Sequence, residues 1–174
     1  MQAFFLKKYG SAAEAFELKE VAEAFPKEQE VRIDVEAFGL NFADVMARRG
    51  MYKEAPPLPC VIGYEVCGKI SAVGKGVDSG QLGKRVIAFT RFGGYSQQII
   101  TPLLATVEIP ENWEPGKATA LATQYSTAWY ASMIATTMRE GDAVLINSAA
   151  GGVGTALMQI AVWKKCRICG TTVN

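Results

Sequence analysis

Hydrophobic and polar residues alternate most cleanly over Glu30–Phe38. Val31, Ile33, Val35 and Ala37 fall on one side, and Arg32, Asp34 and Glu36 on the other. A period of two predicts a strand with one dry and one wet face, and Gly39 ends it. Shorter stretches at 3–8, 66–73, 85–90, 95–101 and 105–109 also predict strands. Turn residues lie close by in Gly74-Lys75-Gly76, Asp78-Ser79-Gly80 and Gly93-Gly94. Short strands with frequent turns predict a small antiparallel barrel or sandwich. Two signals compete over residues 11–25. Alanine and glutamate favour a helix, while Phe16-Glu17-Leu18-Lys19 alternates. Residues 41–49 predict a short helix, with Ala43, Met46 and Ala47 at helical spacing and Gly50 as its stop. Pro56-Pro57-Leu58-Pro59 reads as a stiff extended linker.

The pattern changes near Pro110. Residues 111–116 read as a loop, and 117–138, free of proline and glycine, as one or two helices. After a turn at Gly141-Asp142 come an apolar strand (143–147), a glycine loop (148–154), an apolar helix (155–165) and a second strand (167–173). That order is one β-α-β unit.

The loop reads Ser148-Ala149-Ala150-Gly151-Gly152-Val153-Gly154. It fits a small-x-x-Gly-x-x-Gly pattern, because Ala149 stands where the strict dinucleotide motif has its first glycine. Gly151 and Gly152 are expected to let the backbone turn sharply and approach a ligand, and Gly154 to let the helix pack on the strand. A helix from Thr155 would aim free N–H groups and a partial positive charge at a pyrophosphate. The structural alternative is an ordinary strand-to-helix turn. An acid at the end of the second strand normally bonds the ribose 2′-hydroxyl of NAD. No Asp or Glu follows Asp142 here, and the second strand ends Gly170-Thr171-Thr172-Val173-Asn174. Nothing at that position would repel a 2′-phosphate, which favours NADPH.

Composition narrows the chemistry. The 174 residues contain 18 Lys plus Arg, 17 Asp plus Glu and no histidine. A Ser-His-Asp triad, a Cys-His pair and any His-ligated zinc are excluded. A net charge of +1 gives no basic stripe for nucleic acid. No signal peptide is legible at the start, and no run approaches the roughly 20 apolar residues of a membrane span. Four cysteines in a chain of this length suggest a reduced, cytoplasmic protein rather than a disulfide framework.

Gly39-Leu40-Asn41-Phe42-Ala43-Asp44-Val45-Met46-Ala47-Arg48-Arg49-Gly50-Met51-Tyr52 resembles the active-site segment of zinc-independent medium-chain dehydrogenases/reductases of the quinone oxidoreductase type. The branch that includes the vesicle amine transport protein is the nearest match. Further matches follow in order: Pro57-Leu58-Pro59, Gly63-Tyr64-Glu65-Val66, Gly68 with Ala72-Val73-Gly74, Gly83-Lys84-Arg85-Val86, Gly93-Gly94-Tyr95, the helix at 123–131 and the glycine loop. The resemblance implies a β-rich GroES-like barrel domain over 1–119. After it comes the first β-α-β unit of an α/β Rossmann domain, incomplete, over 120–174, with the active cleft between them. It also implies that 15–21 is a strand. Asn41, Met46 and Tyr64 stand where zinc-dependent relatives place Cys and His ligands, and an amide, a thioether and a phenol do not replace them. Cys166-Arg167-Ile168-Cys169 has no second pair, and Cys60 and Cys67 read as structural.

The implied reaction is hydride transfer from NADPH to a quinone or an α,β-unsaturated carbonyl, with hydrogen bonds in place of a metal. Asn41 would contact the nicotinamide ribose or the substrate. Tyr52 would line the cleft as a donor, Thr127 would contact the nicotinamide, and Asp44 would hold the Asn41 loop. Ser148, Gly151, Gly152, Val153, Gly154 and Thr171 complete the expected cofactor contacts. Each also has a structural alternative: Asn41 as a helix N-cap, Tyr52 as a surface aromatic, and Thr127 bonded back to the previous turn. Glu65 is placed either to line the cleft or to brace the barrel. A parent of about 300 residues or more, dimeric, is expected for two such domains, with this chain a fragment of it. The alternative function is a non-catalytic NADPH-binding or interaction protein on the same fold.

Overall fold

The computed structural model of the chain describes residues 1–172. Two compact units divide at Thr119/Ala120. In the first unit, β3 (Glu30–Phe38) is central, because its alternation gives it one face to bury. It pairs antiparallel with β4 (Glu65–Val73) and with β6 (Gln98–Pro102). β4 pairs with β5 (Arg85–Phe89), and β5 with the short β7 (Thr106–Glu108). The resulting sheet runs β6-β3-β4-β5-β7. Val31, Ile33, Val66, Ile70, Val86 and Ala88 form its buried face.

The wet face of β3 is wired across the sheet. The Arg32 guanidinium donates to Ser71 Oγ, Ser71 and Gln98 both donate to Asp34, and Arg85 reaches Glu36 Oε2 at 2.8 and 2.6 Å. Arg85 also donates to the carbonyls of Glu111 and Trp113, at 2.9 and 2.6 Å, and so pins the loop after β7.

β1 (Gln2–Leu6) pairs antiparallel with β2 (Phe16–Glu20), and single bridges tie β1 to Ser96 and Cys60. The competing signals over 11–25 resolve into one helical turn, α1 (Ala12–Ala15), followed directly by β2. Pairing with β1 outweighs the helical propensity. The 56–59 stretch is not a free linker: Leu58 packs in a second cluster with Leu6, Ala15, Ala47, Cys60, Ile62 and Tyr95. The expected strand at 95–101 begins three residues late, because Tyr95 and Ser96 are committed to other partners. The Tyr95 N–H goes to Ile62, and Ser96 bridges Ala3.

The expected loop at 111–116 ends early. α3 (Pro115–Ala120) starts inside it, since Glu114 caps the helix by accepting the N–H groups of Gly116 and Lys117, both at 2.8 Å. Helix continues through Ala135, with π-helical turns at Leu121–Tyr125 and Tyr130–Ala135 around α4 (Ser126–Trp129).

The second unit holds one β-α-β crossover. β8 (Ala143–Ile146) and β9 (Arg167–Gly170) are parallel neighbours joined by α5 (Gly152–Trp163). Ala128, Met138, Ile146, Ala149, Ala156, Ile160 and Ala161 form its core. The second strand is shorter than the expected 167–173, and Val173 and Asn174 lie outside the described residues. Among the described residues no helix is long and apolar enough to cross a membrane.

Candidate functional site

In the first unit the site grows from the end of β3. The chain leaves Phe38 at Gly39 and enters α2 (Phe42–Arg48), with Asn41 as the N-cap. The Asn41 backbone N–H donates to Asp44 Oδ2 at 2.8 Å, the reciprocal half of a capping box. The Asn41 side chain also reaches β4: Nδ2 donates to Glu65 Oε1 at 2.8 Å. Asn41 is therefore an N-cap by position, with its amide directed at β4.

Asp44 is buried and holds the Asn41 loop. Burial pushes its carboxyl above the ordinary value, while the Asn41 N–H, the Tyr95 phenol and the Gly63 N–H act in the opposite sense. Tyr95 is buried in turn, and its hydroxyl is pushed up, first by burial and then by the Asp44 charge. Tyr52 is half-buried against the second cluster and meets Tyr64 edge-on, with ring centroids 6.2 Å apart. Tyr64 also packs on Phe92 at 5.3 Å. Burial, with the Tyr52 phenol beside it, raises the Tyr64 hydroxyl as well. The Tyr64 and Tyr95 phenols thus stay protonated at neutral pH and can donate. Cys67 is fully buried, and desolvation lifts its thiol to about 11. Among the described residues no three His, Cys, Asp or Glu side chains gather as a metal site.

In the second unit the structure corrects the loop in two ways. α5 begins at Gly152, three residues before Thr155, so Gly152, Val153 and Gly154 form its first turn and Gly151 is its N-cap. The sharp turn is made by Ser148, at φ 53°, while Gly151 sits at an ordinary φ of −78°. The glycines are needed for space instead. A Cβ on Gly154 would lie 2.2 Å from the Ser148 carbonyl oxygen and 2.7 Å from Ala149 Cα. A Cβ on Gly152 would meet the Gln124 amide at 2.5 Å.

Thr171 ties the loop to β9. Its N–H donates to the Ile146 carbonyl, its own carbonyl accepts the Ala149 N–H, and its hydroxyl donates to Asn147 Oδ1 at 3.0 Å. Thr127 is exposed, and its hydroxyl donates to the Thr123 carbonyl at 2.7 Å, the structural alternative for that residue. Ser148, Gly151 and Gly152 are exposed at the open end of a 12-residue helix whose first N–H groups have no carbonyl one turn earlier. That donor set fits a dinucleotide pyrophosphate. Sequence reading did not find the Asn41–Glu65 bond, the Tyr95 phenol at Asp44 or Gln124 over Gly152. Nothing in the local pattern pairs such distant positions.

Comparison with known proteins agrees with this architecture. Residues 27–111 match the alcohol dehydrogenase GroES-like domain. The synaptic vesicle membrane protein VAT-1 homolog of Rattus norvegicus is 39% identical over 135 residues, covering 78% of this chain and 33% of that protein. The crystal structure of the human VAT-1 homolog-like protein superposes with a TM-score of 0.95 at 32% identity, covering all of this chain and 56% of the other. The Escherichia coli quinone oxidoreductase complexed with NADPH gives 0.92 at 28% identity, over 100% and 53% of the two chains. The chain thus spans between a third and somewhat over half the length of these three relatives. With its GroES-like sheet and the β-α-β start of a Rossmann domain, it belongs to the medium-chain dehydrogenase/reductase superfamily, on the quinone oxidoreductase side.

Proposed function

We propose that this chain belongs to an NADPH-dependent, zinc-independent oxidoreductase that transfers hydride to a quinone or an α,β-unsaturated carbonyl. In this reading residues 1–119 are the catalytic domain and 120–174 the start of the nucleotide-binding domain. The observation that carries it is the strand–loop–helix at 148–154. Its exposed helix N-terminus is free of side chains at Gly151 and Gly152, and Gly154 is pressed onto the loop backbone. The NADPH complex of the E. coli relative supports the same choice of nucleotide, as does the acid-free sequence after Asp142.

When bound, the nicotinamide supplies the hydride. The protein binds and orients. Backbone N–H groups of Gly152, Val153 and Gly154 hold the pyrophosphate, with Ser148 and Thr171 shaping the loop. Asn41 contacts the nicotinamide ribose or the acceptor, and Thr127 lies on the nicotinamide side. Tyr52 donates its phenol O–H to the acceptor oxygen and so stabilises the negative charge that develops there. The same reading takes a small molecule as partner, places the protein in the cytoplasm and makes the parent a homodimer.

The test is NADPH oxidation by the full-length protein across a panel of quinones and enones, beside fluorescence titration of NADPH and NADH. Turnover that falls in Tyr52→Phe, with NADPH preferred, is the expected result. Tight NADPH binding without turnover on any acceptor would favour the non-catalytic reading instead.

A further inference from the structure

Asn41 is gripped by two carboxyl groups from two different elements. Asp44 takes its backbone N–H, and Glu65 takes Nδ2. The second bond holds the amide group by its nitrogen. A carboxylate oxygen accepts and does not donate, so the flipped amide would set two acceptors against each other.

Glu65 is suited to hold that bond. It is fully buried, it opens β4 opposite Phe89, and its carbonyl accepts the Gly39 N–H at 3.2 Å. Gly39 provides the space: a Cβ there would fall 1.8 Å from Glu65 Oε1 and 2.6 Å from Cδ. No side chain larger than hydrogen at 39 is compatible with the carboxyl where it stands. The absent side chain at 39, the carboxyl at 65 and the amide at 41 form one arrangement.

We propose that Glu65 is a positioning residue that acts through Asn41. It fixes which amide atoms Asn41 turns toward a ribose hydroxyl of a nicotinamide nucleotide, and Gly39 is there to admit it. The ligand part rests on the reading that Asn41 faces the nucleotide; the positioning part does not.

Two measurements on the full chain separate these. In ¹H–¹⁵N spectra without nucleotide, the Asn41 side-chain NH₂ pair is assigned by its loss in Asn41→Ala. The pair is expected at shifts displaced from those of a free amide. It should collapse toward free-amide shifts in Glu65→Leu and Gly39→Ala and persist in Glu65→Gln, whose Oε1 still accepts. A pair unmoved in Glu65→Leu overturns the positioning role. If Glu65→Leu does not fold, Gly39→Ala against Glu65→Gln reads the same bond.

The second measurement is NADPH affinity by fluorescence titration. Glu65→Leu and Asn41→Ala should each weaken binding by about three- to tenfold. The double variant should bind no more weakly than Asn41→Ala alone. Additive losses overturn action through Asn41, since a general loss of stability would add. A wild-type chain with no NADPH affinity overturns the ligand part, while the amide resonances still decide the positioning part.

Discussion

Two glycines in one helical turn face different neighbours, and that difference fixes a sign. Gly152 and Gly154 both lie in the first turn of α5. Replacing either by alanine offers the same propensity gain, up to about 1 kcal/mol. What the new methyl meets is not the same. At 152 the nearest atoms are the far end of the Gln124 side chain, at 2.5 to 2.8 Å, which can swing away. At 154 they are backbone atoms of Ser148 and Ala149, at 2.2 to 2.9 Å, in a loop already strained at Ser148 and tied to Thr171. Overpacking of this kind costs about 1–3 kcal/mol. Gly152→Ala should therefore be close to neutral, and Gly154→Ala destabilising by about 1–2 kcal/mol once the propensity gain is offset. Urea unfolding followed by tryptophan fluorescence reads this, because Trp129 and Trp163 lie in the same unit as the loop. With a slope of about 2 kcal/mol per molar, the Gly154→Ala midpoint should fall by about 0.5–1 M. Equal midpoints for the two variants would refute the argument, and a lower one for Gly152→Ala would reverse it.

Asp44 should leave a mark on stability against pH. Its carboxyl is raised by burial above the ordinary value of 3.8, so the folded chain holds that proton more tightly than the unfolded one. Its contribution is fully present below that value and is lost as pH rises through the raised one; Asp44→Asn should flatten that fall in a series of urea midpoints. Thiol labelling should follow burial. Iodoacetamide at pH 8 is expected to modify exposed Cys169 well before Cys60 and Cys67, whose thiols are raised by desolvation, and urea should abolish the difference. Ile33→Ala empties a fully buried site on the central strand and should cost about 2–5 kcal/mol by chemical denaturation.

β3 could be read directly because it buries one face and wets the other, so its period is imposed by the core. Residues 11–25 were ambiguous because the deciding partner, β1, lies about ten residues upstream and no local propensity encodes it. The start of α5 at Gly152 is hidden in the sequence for a related reason. Glycine is a poor helix former, yet here it enters the first turn because the loop backbone lies too close for anything larger. Residue types at the site were legible one by one, and their connections were not. Asn41 and Glu65 are separated by a hairpin's worth of chain, and only the β3–β4 ladder brings them together. Thr127 shows the converse: a hydroxyl of the right type spends its hydrogen bond on its own helix.

One aromatic side chain at the end of β3 sets how this site can open. Phe38, the last residue of β3, packs against both clusters of the first unit and meets Tyr95 at a tilt, with ring centroids 4.7 Å apart. The Asn41 segment begins just beyond it. Loosening that segment thus disturbs both cores together, which makes local fraying costly and joins the loop to the sheet as one cooperative unit. The amide protons of Gly39 and Asn41 should then exchange with solvent at the slow pace of the sheet rather than at the pace of an ordinary surface loop.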